Sequence, residues 1–288
     1  MTTAISASFA APGIEPASAP SEQTALLAQQ ARLLLVLAIG LQLGLMLPSL
    51  IAVFIDERTL NGISMWSKPL KFQTSLIVLL GTLVWLLPLI DPLARAARGL
   101  RLAALIAALT AAGEILYITI QAARGRASHF NADTAFEATA YSVMGAGATL
   151  LVLSSMVFGL YLLARPAADA RAGLRLGGGW GLIIGSILTL ITAFVLGSGA
   201  IDGPGHWVGG IKTDIGGLPL FGWSRSGGDL RVPHFFATHI MQALPLLGLL
   251  LDRFAPRLVK PGLIVGALAS IAVVAATFLQ AVSGQPFL

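Results

Sequence analysis

Cysteine is absent from these 288 residues, and charge is scarce. The first absence excludes disulfides, thiolate metal sites and cysteine nucleophiles. Only 11% of residues are charged, against roughly 25% in soluble domains. The net charge of +5, divided between two membrane faces, reads as topology and not as nucleic-acid binding. Several motifs are also missing. No serine lies in a nucleophile elbow, and there is no His-Glu-x-x-His pair and no Walker loop. Gly197-x-Gly199 follows no strand and lacks a properly placed third glycine, so it is not a dinucleotide fingerprint. The segment from Met1 to Gln29 has no Lys or Arg and no apolar core, so it does not read as a secretory signal. Residues 1–30 read as a disordered tail.

What remains is apolar. Hydrophobic residues make up 56% of the chain, and the mean hydropathy is +0.84. Seven segments are long enough to span a bilayer: Arg32–Ile55, Leu70–Ile90, Leu102–Ile120, Ala138–Leu163, Trp180–Leu196, Phe235–Leu251 and Leu263–Val282. Backbone polar groups in lipid must pair within their own segment, so these are helices. The expected fold is an all-α polytopic membrane protein, with a seven-helix domain over residues 31–282 and a short tail at 283–288.

Seven spans put the termini on opposite sides. The side of the N-terminus carries ten Lys and Arg against five acids; the other carries eight against seven, leaving out Glu114 within its span. By the positive-inside bias, the N-terminus is cytoplasmic and the C-terminus is not. All four histidines fall on or just inside the non-cytoplasmic side, as does a loop over residues 197–233 with eleven glycines. Such a loop is too long for a plain connector and reads as a lid or re-entrant element.

Laid on its own second half, the chain sets Gly40 on Gly181 and Gly44 on Gly185 at one shared offset. With Asp91 matching Asp252 and Gln121 matching Gln280, this points to a parallel repeat of helices one to three and five to seven, linked by helix four. Some transporters are built on parallel repeats. The two Gly-xxx-Gly pairs predict close packing between helices one and five, or between protomers of a homo-oligomer.

The polar residues inside or at the mouth of the spans are the candidates for function. Glu114, Tyr117, Gln121 and Arg124 recur at helical spacing and form one stripe on helix three. Glu114 is the one acid deep in a span, and Lys71 is its expected partner. Lys68 and Lys71 share a face of helix two. His239 and Gln242 share a face of helix six, with Arg231 and His234 at its mouth. Lys68, Lys71, Arg124, Arg126, His129 and Arg231 make an outward positive cluster, balanced in part by acids of the same loops.

These residues predict a polar vestibule walled by helices two, three and six. The first functional reading is permease-like transport of a small polar or anionic solute. In it, Lys71 and Arg124 hold the anion, Glu114 carries a proton, and His239 with Gln242 completes the site. The second is a membrane oxidoreductase binding haem b or a quinone through His239 with His129 or His234. A third, a lipid-modifying enzyme, has no nucleophile motif behind it. The expected partners are membrane lipids and a small-molecule ligand.

Overall fold

The computed structural model describes residues 21–288. The expected tail at residues 1–20 lies outside the described residues. Residues 21–30 are not tail. Ser21 caps helix α1, its hydroxyl accepting from Thr24 N, and α1 runs Glu22–Ile55. The other long helices are α2 (Ser67–Leu86, prolonged by a 3₁₀ turn Leu87–Leu89), α3 (Arg98–Arg124), α4 (Ala135–Ala164), α5 (Ala172–Ser198), α6 (Arg231–Phe254) and α7 (Val259–Val282). A single helical turn, Pro92–Arg95, sits between α2 and α3. Seven helices are long and apolar enough to cross a membrane. The chain is an all-α, seven-span membrane protein.

Helix ends follow local chemistry. Thr134 caps α4 by accepting from Glu137 N, and its hydroxyl donates back to Glu137 Oε2 at 3.1 Å. This is a variant of the capping box, closed side chain to side chain. The α3 helix stops at Gly125, whose φ of 75° is left-handed, the usual termination by glycine. Between α1 and α2, strands β1 (Thr59–Leu60) and β2 (Ile63–Ser64) pair around Asn61-Gly62, both at positive φ. Asn-Gly is the residue pair such a tight hairpin turn favours.

The helices group in threes. Each of α1, α2 and α3 contacts the other two, and so do α5, α6 and α7; α4 packs between α3 and α5. The α2 helix also meets α6, which joins the two groups. This layout is the one expected from a 3+1+3 repeat. The α5–α6 contact is the tightest. Gly173, Gly177, Gly181 and Gly185 recur at every fourth position on α5, and a Cβ on any of them would run into α6. Gly173 and Gly248 face each other backbone to backbone. The Asp252 carboxylate, near the end of α6, accepts from Gly173 N and Leu174 N at 2.7 and 2.8 Å and caps α5.

Two expectations need correction here. Gly181 and Gly185 pack on α6 and not on α1, because the glycine row extends back to Gly173. Gly40 and Gly44 meet nothing within 4 Å where a Cβ would stand. The fifth helix begins at Ala172, not at Trp180. The glycines at 177–179 suggest a break, but they are helix interior buried against neighbours.

Candidate functional site

The loops at the α2–α3–α6 end that carries the long glycine-rich segment are knitted together around Arg231. Its guanidinium donates to Asp229 (Nε–Oδ1 3.0 Å, Nη2–Oδ2 2.7 Å), to Asp214 Oδ1 at 2.9 Å and to Gly222 O at 2.7 Å. Lys71 Nζ donates to the preceding carbonyl, Phe221 O, at 2.8 Å. The loop at residues 199–230 is thus a structured cover fastened by two cations at successive carbonyls. Its strands β3 (Trp207–Val208) and β4 (Gly228–Asp229) pair, and Asp214 N donates to Asn61 O in the first hairpin. Beneath it, Phe221 stacks on Trp223 at 4.4 Å, Phe235 meets both edge-on, and His239 stacks on Phe235 at 3.9 Å.

Within the cover, His206 Nε2 lies 3.4 Å from Asp214 Oδ1. Burial pushes the His206 imidazole below its ordinary value, and the Asp214 hydrogen bond opposes it only in part. Burial pushes Asp214 up, but the His206 hydrogen bond and the Arg231 charge outweigh it and hold the carboxyl low.

The polar stripe on α3 divides by depth. At its top, Gln121 and Arg124 serve the α3–α4 connection. Arg124 Nη1 donates to Gln121 Oε1 at 2.7 Å, and Gln121 Nε2 donates to Ala127 O at 3.2 Å. Arg126 is paired with Glu137 and with Asp133. Lower down, Tyr117 OH is buried without a hydrogen-bond partner. Glu114 stands ten positions before Arg124, or about 15 Å inside at roughly 1.5 Å per residue. It is 6% exposed, and its carboxylate forms no hydrogen bond or ion pair among the described residues. Its Oε1 faces Gly147 of α4.

The expected pairing of Glu114 with Lys71 does not form, because Lys71 Nζ is spent on Phe221 O. Lys68 is the lysine whose charge bears on Glu114, and it also feels Arg231 and Asp214 of the cover. No ion pair closes between Lys68 and Glu114 within 4.0 Å. Lys68 Nζ lies 5.8 Å from the Phe72 ring centre, and Phe72 packs on His129 at 5.4 Å. His129 packs in turn on Tyr141 of α4 at 5.9 Å. Burial pushes His129 well below its ordinary value, and the nearby Lys68 charge adds to this. The α1 helix supplies two polar groups that sequence reasoning missed. Gln42 Nε2 donates to Ala111 O at 3.4 Å, about one turn below Glu114. Ser49 Oγ accepts from Gln73 Nε2 of α2 at 3.1 Å. Gln42 Oε1 and Gln73 Oε1 are buried without partners.

The expected single vestibule is therefore two places. One is the polar tract among α1, α2, α3 and α4, centred on Lys68 and Glu114. The other is a cleft of about 260 Å³ between α2 and α6, lined by Gly81, Thr82, Trp85, Gln242 and Leu246. There Gln242 Nε2 donates to Thr82 Oγ1 at 3.1 Å. His234 Nδ1 lies 3.2 Å from Thr192 Oγ1 of α5, and His239 Nδ1 lies 2.8 Å from Phe235 O. His234 and His239 are within electrostatic reach of each other but turn to different neighbours, and His129 packs against α2 and α4. No group of three or more His, Asp and Glu able to hold a metal ion occurs among the described residues.

Compared with family models, with curated proteins and with solved structures, the chain matches none.

Proposed function

We propose that the chain is a proton-linked permease for a small polar or anionic solute, which passes through the polar tract among α1, α2, α3 and α4. The observation that carries this reading is Glu114. A glutamate 6% exposed as a residue and about 15 Å inside a span is costly to keep without a partner for its carboxylate. Its hydrogen-bonding capacity is unspent, and the cation in electrostatic reach, Lys68, stands off from it. A group placed so is free to take up and release a proton, and a mobile solute completes its contacts. Lys68 is the anion contact, with Tyr117, His129 and the unpartnered amide oxygens of Gln42 and Gln73 as polar lining.

In this reading Lys71 and Arg231 are fastenings of the outer cover and not ligands for the solute. Arg124 is a tether of the α3–α4 connection. The covered face is non-cytoplasmic and the N-terminus cytoplasmic, as the Lys and Arg distribution supports. The pairing of two three-helix groups is the plan that parallel-repeat transporters use.

The test is uptake by proteoliposomes of the purified protein under an imposed proton gradient. Glu114→Gln keeps the size and the hydrogen-bonding shape but removes the titrating proton. It should fold as the parent does and lose gradient-driven uptake at least tenfold.

A further inference from the structure

The end of the molecule opposite the cover carries a second cleft. It is open to the surface, has a volume of about 200 Å³ and is lined by Thr24, Ala25, Ala28 and Gln29 of α1 and by Pro92 and Arg95 of the turn between α2 and α3. The Arg95 side chain forms no hydrogen bond or ion pair with any described residue, and its Nε is buried. Arg101 is in a similar state. Its Nη1 donates to Gln30 Oε1 at 2.7 Å, while its buried Nε has no partner.

The acids close in sequence do not answer these donors. Asp91 Oδ1 accepts from Leu93 N and Ala94 N at 2.9 and 3.1 Å, and Glu22 forms no ion pair with either arginine. Buried donors without acceptors are costly, and guanidinium groups match the oxygens of a phosphate. The place also has the right height. It lies at the ends of the spans, where headgroups sit, and α1 runs from it into the bilayer with Leu33 and Leu37 exposed at 57% and 61%.

We infer that this cleft binds the phosphate of an anionic phospholipid headgroup through Arg95, with the acyl chains lying along the exposed apolar face of α1. Basic pockets between spans recognise such headgroups. The inference does not depend on what the chain transports.

The test uses the full-length protein purified in mild detergent. Phosphatidylglycerol, phosphatidylcholine and inorganic phosphate are added in turn, and the melting temperature and lipid retention by native mass spectrometry are read. Phosphatidylglycerol should raise the melting temperature and stay bound, and the other two should do neither. Arg95→Gln should weaken that retention about fivefold, the effect of one basic contact, whereas Arg225→Gln on the opposite loop should leave it unchanged. The Arg95 side chain makes no bond within the described protein, so its substitution should leave the fold intact and decide the matter. Equal retention by the parent and Arg95→Gln overturns the inference. So does stabilisation by inorganic phosphate equal to that by the lipid, which would assign the cleft to a free ion.

Discussion

The Glu114 carboxylate on α3 faces Gly147 on α4 so closely that a Cβ at residue 147 would stand 3.3 Å from Oε1. The space beside the carboxylate is thus kept open by a missing side chain. Gly147→Ala gives α4 a better helix former, worth about 1 kcal/mol in an exposed helix. It also pushes on the flexible end of Glu114. The variant should melt no lower than the parent yet transport several-fold more slowly, as paired thermal-melt and uptake assays would show. A variant that melts lower and transports normally would leave Gly147 without a part in transport.

Arg231 should be the costliest side chain of the cover to lose. Its removal leaves Asp229, whose side chain is 1% exposed, and Asp214 without their cation. Breaking a buried pair from one side costs about 3–5 kcal/mol. Arg231→Gln should therefore lower stability by that order and open residues 199–230 to protease. Lys71→Met removes one charged hydrogen bond, to Phe221 O, and should cost about 1.5–3 kcal/mol. Limited proteolysis with mass mapping ranks the two variants.

Acid should loosen the covered end before it loosens the helices. His129 and His206 both titrate below their ordinary value of 6.5 in the fold, chiefly through burial. The unfolded chain then binds more protons just below that pH. Stability is fully present above about 6.5 and is lost as pH falls through the interval down to the depressed folded values. Asp214, also held low, adds a further loss below its ordinary 3.8. Melting temperature measured from about pH 8 to about pH 5 should fall, and His129→Gln should flatten the slope. An unchanged slope in that variant would mean that His129 is not buried as described.

The glycine row on α5 predicts an inverted effect of alanine. In an isolated helix Gly→Ala stabilises. At Gly177 the new Cβ would meet the Leu244 carbonyl on α6, and backbone does not swing aside as a side chain does. Gly177→Ala should destabilise by about 1–3 kcal/mol, whereas Gly40→Ala, with nothing within 4 Å, should not. Unfolding of both variants in the same detergent makes the comparison.

Much of this fold was legible because lipid leaves the backbone few options. Span length and apolar content located seven helices, whereas the matched glycines stand in unlike surroundings, Gly181 and Gly185 against α6 and Gly40 and Gly44 against nothing within 4 Å. Helix ends were less legible. The caps Ser21 and Thr134 and the first turns of α1 and α5 carry polar or glycine residues that composition assigns to loops. The site was legible residue by residue but not as contacts. Glu114 stood out as a lone acid, yet its want of a partner turned on Lys71 being spent on the Phe221 carbonyl of a loop whose path no periodicity encodes. Arg231 resembled a ligand because its acids, Asp214 and Asp229, lie in a loop whose path no periodicity encodes. Gln42, Ser49 and Gln73 were visible as polar residues in apolar runs and would have been found by treating every such residue as a candidate. The Gly173–Gly185 row and Asn61-Gly62 were likewise in view.

Glu114 is proposed to exchange the proton that drives a solute through the α1–α4 tract, and proton and solute movement can be read together. A panel of small polar and anionic solutes is offered to proteoliposomes that contain a pH-sensitive dye, with the parent protein and Glu114→Gln side by side. At least one solute should enter with a matching proton movement, and Glu114→Gln should abolish both. Uptake that proceeds equally in Glu114→Gln, or that ignores the proton gradient, would contradict the proposal.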